Sequence, residues 1–261
     1  MSKTTKQDNF DNVTTNELYL HETRQTITLH FNHNALQSVM RKSEPNGLEF
    51  EYTKVMMGFM LFNPQPSEIL MIGLGGGSLA KFVHSQLPET RTTVVEINPD
   101  IIRTAHSLFA LPAPDDRLVI LHADGAQHIQ EHTQCADIIM VDGFDNDLQI
   151  PGLCSEEFYQ QARETLTKRG ILVINLLSRD KKLVTYLQRI ETVFQNRVIT
   201  LLSEIRGNLI VFAFKQSPGK LTWKTLIKHA HMLEQHHALP FPDFVSELHK
   251  SVKHKGDFLT I

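Results

Sequence analysis

Seven short apolar runs, most of them separated by amphipathic stretches, are the feature that most constrains the fold of this chain. The runs are Ile69–Ile72, Thr93–Ile97, Leu118–Leu121, Ile138–Val141, Ile171–Ile174, Val198–Leu202 and Leu209–Phe214. Apolar strands that alternate with helices are typical of a sheet buried on both faces. The sequence therefore predicts a doubly wound α/β domain with a mostly parallel, seven-stranded sheet.

The last two runs differ from the others because only Ser203 to Asn208 separate them. So short a connection joins antiparallel strands, whereas parallel neighbours need a longer crossover. Parallel strands that close with a hairpin are typical of the Rossmann-type fold of class I methyltransferases. A plain dinucleotide-binding fold does not usually end in this way.

The residues on either side of this region indicate how the chain is divided. Period-two alternation at Thr26–Phe31 predicts a half-buried strand, and helical spacing of apolar residues from Leu48 to Phe62 predicts a helix. Pro240 and Pro242 interrupt a helical pattern near the C-terminus. We therefore expect a disordered leader in residues 1–16, a β element with a linking helix in residues 17–66, a Rossmann-like nucleotide-binding domain in residues 67–216 and a helical extension in residues 217–261.

Charge and composition exclude several kinds of partner. The chain has 26 Lys and Arg residues against 29 Asp and Glu, a formal net charge of -3. This balance lacks the excess of positive charge that is typical of proteins that bind nucleic acid or anionic membranes. No apolar run approaches the roughly 18 residues of a membrane span, and the polar N-terminus has no apolar signal-peptide core. We therefore expect a cytoplasmic protein that binds neither nucleic acid nor membranes.

Neither the cysteines nor the histidines predict a metal site. Cys135 and Cys154 lack the spacing of zinc ligands and are expected to be reduced thiols. Several histidines cluster near the C-terminus, but their spacing does not place them on one face of a helix. They are His229, His231, His236 and His237. We therefore expect no metal cofactor.

A glycine-rich turn follows the first strand of the predicted domain and leads into a helix. Gly73, Gly75 and Gly77 lie between Ile72 and Ser78, and glycines there permit positive φ and let the backbone approach a ligand closely. The N-terminus of the following helix adds N–H groups without intrahelical partners. The turn is therefore a candidate nucleotide-binding loop, and a tight structural turn without a ligand is the alternative.

The next strand ends in a carboxylate. Glu96 lies 19 residues after Gly77, where an acidic side chain can accept hydrogen bonds from both ribose hydroxyls of a nucleotide. Such a carboxylate repels a phosphorylated ribose, which argues against NADP. A solvated glutamate at the end of a strand is the alternative interpretation.

Acidic residues also follow the third and fourth strands. Asp124, which precedes Gly125, could accept a hydrogen bond from an adenine amino group or cap the next helix, and its two oxygens could do both. Asp142 and Asp145 lie beyond a central strand, at the crevice where open α/β sheets bind ligands. Paired carboxylates there, with Asp147 nearby, could hold a cationic amine or accept its proton. A polar loop with an Asx-turn is the alternative.

The glycine turn and the acidic residues after the next three strands together resemble motifs of the polyamine aminopropyltransferases, the spermidine and spermine synthases. The resemblance covers residues 17–215. The glycine turn is similar to the family's Gly-Gly-Gly-Asp-Gly-Gly loop, and Asp124–Gly125 matches the Asp-Gly that reads adenine. Asp142–Asp145 falls on the family's Asp-Ser-Ser-Asp-Pro loop. Three further segments resemble family motifs: Val95–Asn98 (Val-Glu-Ile-Asp), Ser155–Tyr159 (Lys-Glu-Phe-Tyr) and Leu48–Tyr52 (Asp-Glu-Phe-Tyr-His-Glu).

The resemblance implies a function and a set of site residues. The co-substrate would be S-adenosylmethionine or its decarboxylated form, and the acceptor would be an amine or another small molecule. Asp142 would support the catalytic step and Asp145 would help to hold the acceptor, so both are candidate catalytic residues, while Tyr52 and Asp145 are candidate substrate-binding residues. The implied donor-binding residues are Gly73, Gly75, Gly77, Glu96, Asp124, Gly125 and Asp142. A homodimer and a role in polyamine biosynthesis are also expected.

The chain departs from the family pattern mainly where the acceptor would bind. Gly76 replaces the Asp that faces the aminopropyl ammonium of the decarboxylated donor, and Asn146 replaces the Pro after the second Asp. Thr53 and Lys54 replace a His-Glu pair, which introduces a cation among the expected polyamine-binding groups. Ser203–Gly207 stands where the family has a Pro-x-Tyr-Pro-x-Gly segment with a Tyr near the attacking amine. These departures predict an acceptor other than plain putrescine.

Three functions are compatible with these residues. The first is transfer of an aminopropyl group from a sulfonium donor to an amine acceptor. The second is methyl transfer from intact S-adenosylmethionine to a small molecule, which Gly76 favours because a carboxylate-bearing donor avoids an opposing Asp. The third is a non-catalytic homologue that binds the nucleotide without turnover.

Overall fold

The computed structural model describes residues 18–31, 35–145, 148–203, 207–251 and 256–261. The leader predicted for residues 1–16 lies outside these residues. The limits drawn between the other predicted units stay predictions.

A small antiparallel sheet precedes the central domain, as the alternating pattern predicts. Its strands are β1 (Leu18–Glu22), β2 (Thr26–Phe31) and β3 (Ala35–Arg41), with β2 in the middle. Ile27 and Leu29 on β2 are buried in the main core, because alternate residues of a strand point to the same face. The predicted linking helix is confirmed as α1 (Glu51–Met56), which continues as a 3-10 helix over Met57–Leu61.

The central sheet has seven strands, five of which form a parallel block. The strands that follow α1 in the chain are β4 (Glu68–Ile72), β5 (Arg91–Glu96), β6 (Leu118–His122), β7 (Ala136–Val141), the short β8 (Phe144–Asp145) and β9 (Leu148–Gln149), β10 (Leu166–Leu177), β11 (Val198–Leu202) and β12 (Asn208–Phe214). The order in the central sheet is β6-β5-β4-β7-β10-β12-β11, while β8 and β9 pair separately. The first five strands of that order run parallel. The predicted doubly wound, mostly parallel sheet is therefore confirmed.

The hairpin predicted for the last two strands is also confirmed. Strand β12 is antiparallel to both of its neighbours, β10 and β11. Its first residue, Asn208, pairs with Leu177, the last residue of β10. The start of β12 therefore lies at the same edge of the sheet as the carboxyl ends of the parallel strands.

Helices cover both faces of the sheet and bury two apolar clusters. The helices after α1 are α2 (Ser78–Gln86), α3 (Pro99–Leu108), α4 (Gly125–Gln130), α5 (Glu156–Thr165), α6 (Leu183–Val193), α7 (Trp223–His237) and α8 (Phe241–Ser251). Side chains from α4, α5 and α6 form one cluster, and those from the other helices contribute to the second. Successive strand residues alternate between the clusters, so Met71 faces one and Ile72 the other.

The predicted C-terminal helices pack on the larger cluster. Helix α7 ends before Ala238, which has a φ of 53°, and α8 begins after Pro240, so the break falls where the prolines predict it. The short strands β13 (Leu221–Thr222) and β14 (Phe258–Leu259) pair beside the start of α7. Among the described residues, no helix is both long enough and apolar enough to cross a membrane.

Candidate active site

A cleft of about 810 Å³ opens at the carboxyl ends of the parallel strands. The predicted site residues that line it are Tyr52, Gly73, Gly75, Glu96, Asp124, Gly125 and Asp142. We call the part formed by Gly73–Gly76, Glu96 and Asp124 the glycine-turn side. We call the part formed by Tyr52, Asp142, Asn175 and Asn208 the Asp142 side.

The glycines of the turn lie in backbone conformations that disfavour side chains. Gly73 has a φ of 94°, and a Cβ there would lie 2.3 Å from the backbone oxygen of Asp142. Gly75 has a φ of 54°, and a Cβ would lie 2.9 Å from the Ser38 hydroxyl. Gly77, which has a φ of 73°, does not line the cleft and is the N-cap of α2. The turn therefore depends on glycine because of its own protein neighbours as well as any ligand.

Gly76 is packed by neighbouring side chains. Its N–H donates to the Ser38 hydroxyl at 2.8 Å. A Cβ on Gly76 would lie 2.8 Å from the Phe109 ring and 2.9 Å from the Ser38 Cβ. The position where the resemblance places an aspartate is therefore filled, and a side chain there requires Phe109 or Ser38 to move.

Glu96 joins the turns that follow β4 and β5. Its Oε2 accepts the Leu74 N–H at 2.9 Å, and its Oε1 accepts the Asn98 N–H at 2.8 Å. Burial raises the pKa of Glu96 above its ordinary value, while the backbone N–H groups that it accepts partly offset this effect. Each carboxylate oxygen has two acceptor positions, so the remaining ones can receive ribose hydroxyls from the cleft.

Asp124 caps the helix that follows it. Its Oδ1 accepts the N–H groups of Ala126 at 2.7 Å and Gln127 at 3.2 Å, which satisfies two orphan donors of α4. The capping role left open by the sequence is therefore confirmed, while the adenine contact stays a prediction. Gly125 is required because a Cβ would lie 2.4 Å from the Ile72 side chain.

The Asp142 carboxylate is held by two side chains in the wall of the cleft. The Tyr52 hydroxyl donates to Oδ2 at 3.2 Å, and the Asn175 side-chain amide donates to Oδ1 at 2.8 Å. Desolvation raises the pKa of Asp142 above its ordinary value, although both hydrogen bonds lower it. Desolvation and the adjacent carboxylate raise the pKa of Tyr52 well above its ordinary value. Tyr52 therefore stays a neutral donor, and Asp142 is a carboxylate with increased proton affinity.

The second predicted carboxylate is only partly described. The backbone of Asp145 pairs with Leu148 in the β8–β9 hairpin, but its side chain lies outside the described part of the chain. Asp147 lies outside the described residues altogether. The role predicted for Asp145 therefore stays a prediction.

The interpretation of Lys54 as a cation within the acceptor site is wrong. Its ammonium pairs with Glu51 at 2.5 Å, and its side chain is absent from the cleft wall, whereas Glu51 lines the cleft. Residues three apart in a helix can form an ion pair, and this pair keeps the Lys54 ammonium at Glu51. Arg179, just beyond β10, is a cation that does line the cleft.

Sequence reasoning missed Asn175 and Asn208. Asn175 is 2% exposed and contacts Asp142, and the Asn208 amide donates to the Asn175 Oδ1 at 2.7 Å. A polar residue directly after the apolar run Ile171–Ile174 is the signal that could have revealed Asn175. Asn208 had no comparable signal, because only the antiparallel pairing of β12 brings it to this edge. Among the described residues, no cluster of three or more His, Cys, Asp or Glu side chains could hold a metal ion.

The fold and the cleft together define a class of protein. A glycine turn, the Glu96 carboxylate and the Asp142 carboxylate, whose proton affinity is raised, line one cleft on a doubly wound sheet. Residues 49–221 match the family model of the spermine/spermidine synthase domain. A polyamine aminopropyltransferase from Chromobacterium violaceum is 37% identical over 245 residues, which cover 94% of this chain and 94% of that protein. The chain therefore belongs to the spermine/spermidine synthase family, and it is a transferase.

Solved structures share the same fold. Human methyltransferase-like protein 13 in complex with SAH has a TM-score of 0.61 and 29% identity, over 72% of this chain and 89% of that one. A probable spermidine synthase from Corynebacterium glutamicum has a TM-score of 0.69 and 21% identity, over 92% of this chain and 93% of that one. These similarities confirm the expected methyltransferase-like α/β fold.

Proposed function

We propose that the protein transfers an aminopropyl group from decarboxylated S-adenosylmethionine to an amine acceptor other than plain putrescine. The observation that carries this proposal is the Asp142 carboxylate, held by Tyr52 and Asn175 beside the glycine turn. Membership of the spermine/spermidine synthase family supports the same reaction.

The glycine-turn side supplies the donor site. Glu96 would bind the ribose diol and Asp124 the adenine amino group, while the glycines let the nucleotide lie close to the backbone. A relative of the same fold is solved with SAH, the product of a sulfonium donor. We therefore expect a sulfonium nucleoside to bind on the glycine-turn side.

The Asp142 side supplies the acceptor chemistry. The acceptor nitrogen attacks the carbon next to the sulfonium, the carbon–sulfur bond breaks with its electron pair on sulfur, and methylthioadenosine leaves. The nitrogen must be neutral to attack, so the proton of the acceptor's ammonium form passes to Asp142 before the new bond forms, and the raised pKa of Asp142 suits it to that task. Because the sulfonium is already a good leaving group, positioning and deprotonation of the amine supply most of the acceleration.

The acceptor is expected to differ from a simple diamine. The Lys54 ammonium offsets the Glu51 charge, and Arg179 adds a cation to the cleft. The ion pair weakens the attraction of Glu51 for a second ammonium of the acceptor, and Arg179 repels such a group. An uncharged or carboxylate-bearing tail of the acceptor avoids both penalties. Asp145 would hold a polar group of the acceptor.

Methyl transfer from intact S-adenosylmethionine is the second candidate. The filled position at Gly76 favours it, because no carboxylate there can pair with an aminopropyl ammonium. The SAH-bound relative supports the same reading. A non-catalytic nucleotide-binding homologue is the third candidate, and a cytoplasmic location and a homodimer also stay predictions.

Calorimetry followed by a turnover assay separates these candidates. Both donors are titrated into the protein, and release of methylthioadenosine or S-adenosylhomocysteine is then followed with putrescine, monoamines and amines that carry a carboxylate. We expect methylthioadenosine release with the decarboxylated donor and little turnover with putrescine. Turnover with the intact donor alone contradicts the proposal in favour of methyl transfer, and binding without turnover favours the third candidate. Fast, saturable turnover with micromolar putrescine contradicts the proposed acceptor.

A further inference from the structure

Three neighbouring strands each contribute one side chain to a hydrogen-bonded series that ends on Asp142. Asp142 follows β7, Asn175 lies near the end of β10, and Asn208 begins β12. The Asn208 Nδ2 donates to the Asn175 Oδ1 at 2.7 Å, and the Asn175 Nδ2 donates to the Asp142 Oδ1 at 2.8 Å. The reversed direction of β12 makes this series possible, because it brings the start of that strand to the carboxyl end of β10.

The donor and acceptor chemistry of the groups gives the series a direction. An ionised carboxylate only accepts hydrogen bonds, so it requires the NH₂ group of Asn175 to face it. The Oδ1 of Asn175 then faces away from Asp142 and meets the NH₂ group of Asn208. If the Asn175 amide were flipped, its oxygen would face the carboxylate and its NH₂ group would face that of Asn208. The observed orientation is therefore the one that favours ionised Asp142.

Asn208 is itself held in place through its backbone. Its N–H donates to the Ser203 hydroxyl at 3.1 Å, and that hydroxyl donates to the Asn208 carbonyl at 3.1 Å. The Ser178 N–H donates to the Gly207 carbonyl at 3.2 Å. Asn175 is 2% exposed, so little water competes for its side-chain amide. The backbone from which the Asn208 side chain extends is therefore held by hydrogen bonds.

We propose that Asn208 is a positioning residue that holds the Asn175 amide with its NH₂ group toward Asp142, an inference that rests on the proposed function. This contact keeps Asp142 ionised and oriented to accept the proton of the acceptor amine. The titratable and charged residues that line the same cleft are Glu51, Tyr52, Glu96, Asp124 and Arg179. Of these only Tyr52 hydrogen-bonds to Asp142 among the described residues, so the amide series supplies the other direct contact.

The test is a titration of the Asp142 carboxyl carbon by NMR, with the signal assigned by its loss in Asp142→Asn. The Asn208→Ala protein retains Asn175 but frees its amide to rotate. We expect the pKa of Asp142 to rise, with an acid constant about two- to tenfold smaller than in the parent protein, the range of one hydrogen bond. Asn175→Ala should raise the pKa further because it removes the direct donor. The exposed amide Gln188 on α6 gives a matched control, and Gln188→Ala should leave the titration unchanged.

The double variant distinguishes a relay from an indirect structural effect. If Asn208 acts through Asn175, then Asn208→Ala has no further effect on Asp142 in the Asn175→Ala protein. An unchanged pKa in Asn208→Ala overturns the proposal, and so does an equal shift in both backgrounds. Turnover is measured separately. If the pKa of Asp142 shifts as expected but the protein turns over no amine, the role of Asn208 stands and the proposed function is contradicted.

Discussion

The two sides of the cleft are built from different kinds of groups. On the glycine-turn side, Gly73 and Gly75 shape the backbone, and Glu96 is anchored by two N–H groups of neighbouring turns. On the Asp142 side, the functional groups are side chains from α1, the end of β7, β10 and β12. The glycine-turn side is thus formed by two adjacent βα turns, whereas the Asp142 side is formed by residues from several distant elements.

The two sides of the cleft therefore differ in the substitutions that they tolerate. A turn made of backbone tolerates few substitutions, because each added Cβ meets another part of the protein. Side chains on separate strands can be exchanged one at a time while the strands stay in place.

The largest expected effect comes from breaking the Asp142 side alone. Asp142→Asn keeps the shape of the side chain and still accepts a hydrogen bond, but it cannot take up a proton. We expect turnover to fall by about 10²–10⁴-fold, the range of a lost general base. Because Asp142 is also an implied donor contact, calorimetry with S-adenosylhomocysteine and methylthioadenosine should show a loss of affinity, but one much smaller than the loss of turnover. An equal loss of nucleotide binding would show that the two sides are not separable.

Breaking the glycine-turn side should have the opposite pattern. Gly75→Val places a branched side chain at a φ of 54° and within 2.9 Å of the Ser38 hydroxyl. We expect nucleotide affinity to fall by at least about tenfold, because the turn must shift to relieve this contact. Circular dichroism reports whether the fold survives, and Gly75→Ala offers a milder version. A Gly75→Val protein that binds methylthioadenosine normally would show that the turn is only structural.

A comparable effect on the same side is expected from Glu96→Ala. The change removes the predicted ribose acceptor and also the bonds from the Leu74 and Asn98 N–H groups. Hydrogen bonds to a charged group contribute about 1.5–3 kcal/mol each, so donor affinity should fall at least about tenfold. Glu89→Ala, which alters an exposed carboxylate just before β5, is the matched control. Unchanged affinity in Glu96→Ala contradicts the assignment of Glu96.

The same contrast explains which parts of the site the sequence could predict. Glu96 was predictable because it follows the glycine turn within one βα unit, and strand periodicity places it at the cleft. The antiparallel last strand was predictable because of the short connection before it. Asn208 was not, because its contact with Asn175 depends on strand order. Lys54 was misassigned because a motif position does not specify which way a side chain points when Glu51 lies one helical turn away.

Burial shifts the pKa values of Asp142 and of Lys81, a lysine behind the glycine turn, in opposite directions. Asp142 is a carboxylate whose pKa is raised. Behind the glycine turn, Lys81 is 1% exposed, and desolvation lowers its pKa to about 8. Its ammonium donates to the Phe109 carbonyl at 2.6 Å, and the Phe109 ring packs against Gly76. Lys81 therefore supports the packing behind the glycine turn without lining the cleft.

The smallest expected effect is a pH-dependent change in stability when Lys81 is replaced by Met. Because its pKa is about 8 in the folded protein and 10.5 ordinarily, the unfolded chain binds more protons between these values, and stability rises with pH there. The cost of burying the charge is fully present below about pH 8 and is relieved as Lys81 loses its proton. We expect the stability of the parent protein, relative to Lys81→Met, to increase by roughly 1–3 kcal/mol as pH rises through this range. Urea unfolding at several pH values measures the difference, and Lys224→Met, at an exposed position on α7, is the matched control. Stability curves of the parent and Lys81→Met that stay parallel would mean that Lys81 is not desolvated, and the glycine-turn side would then lack this buried support.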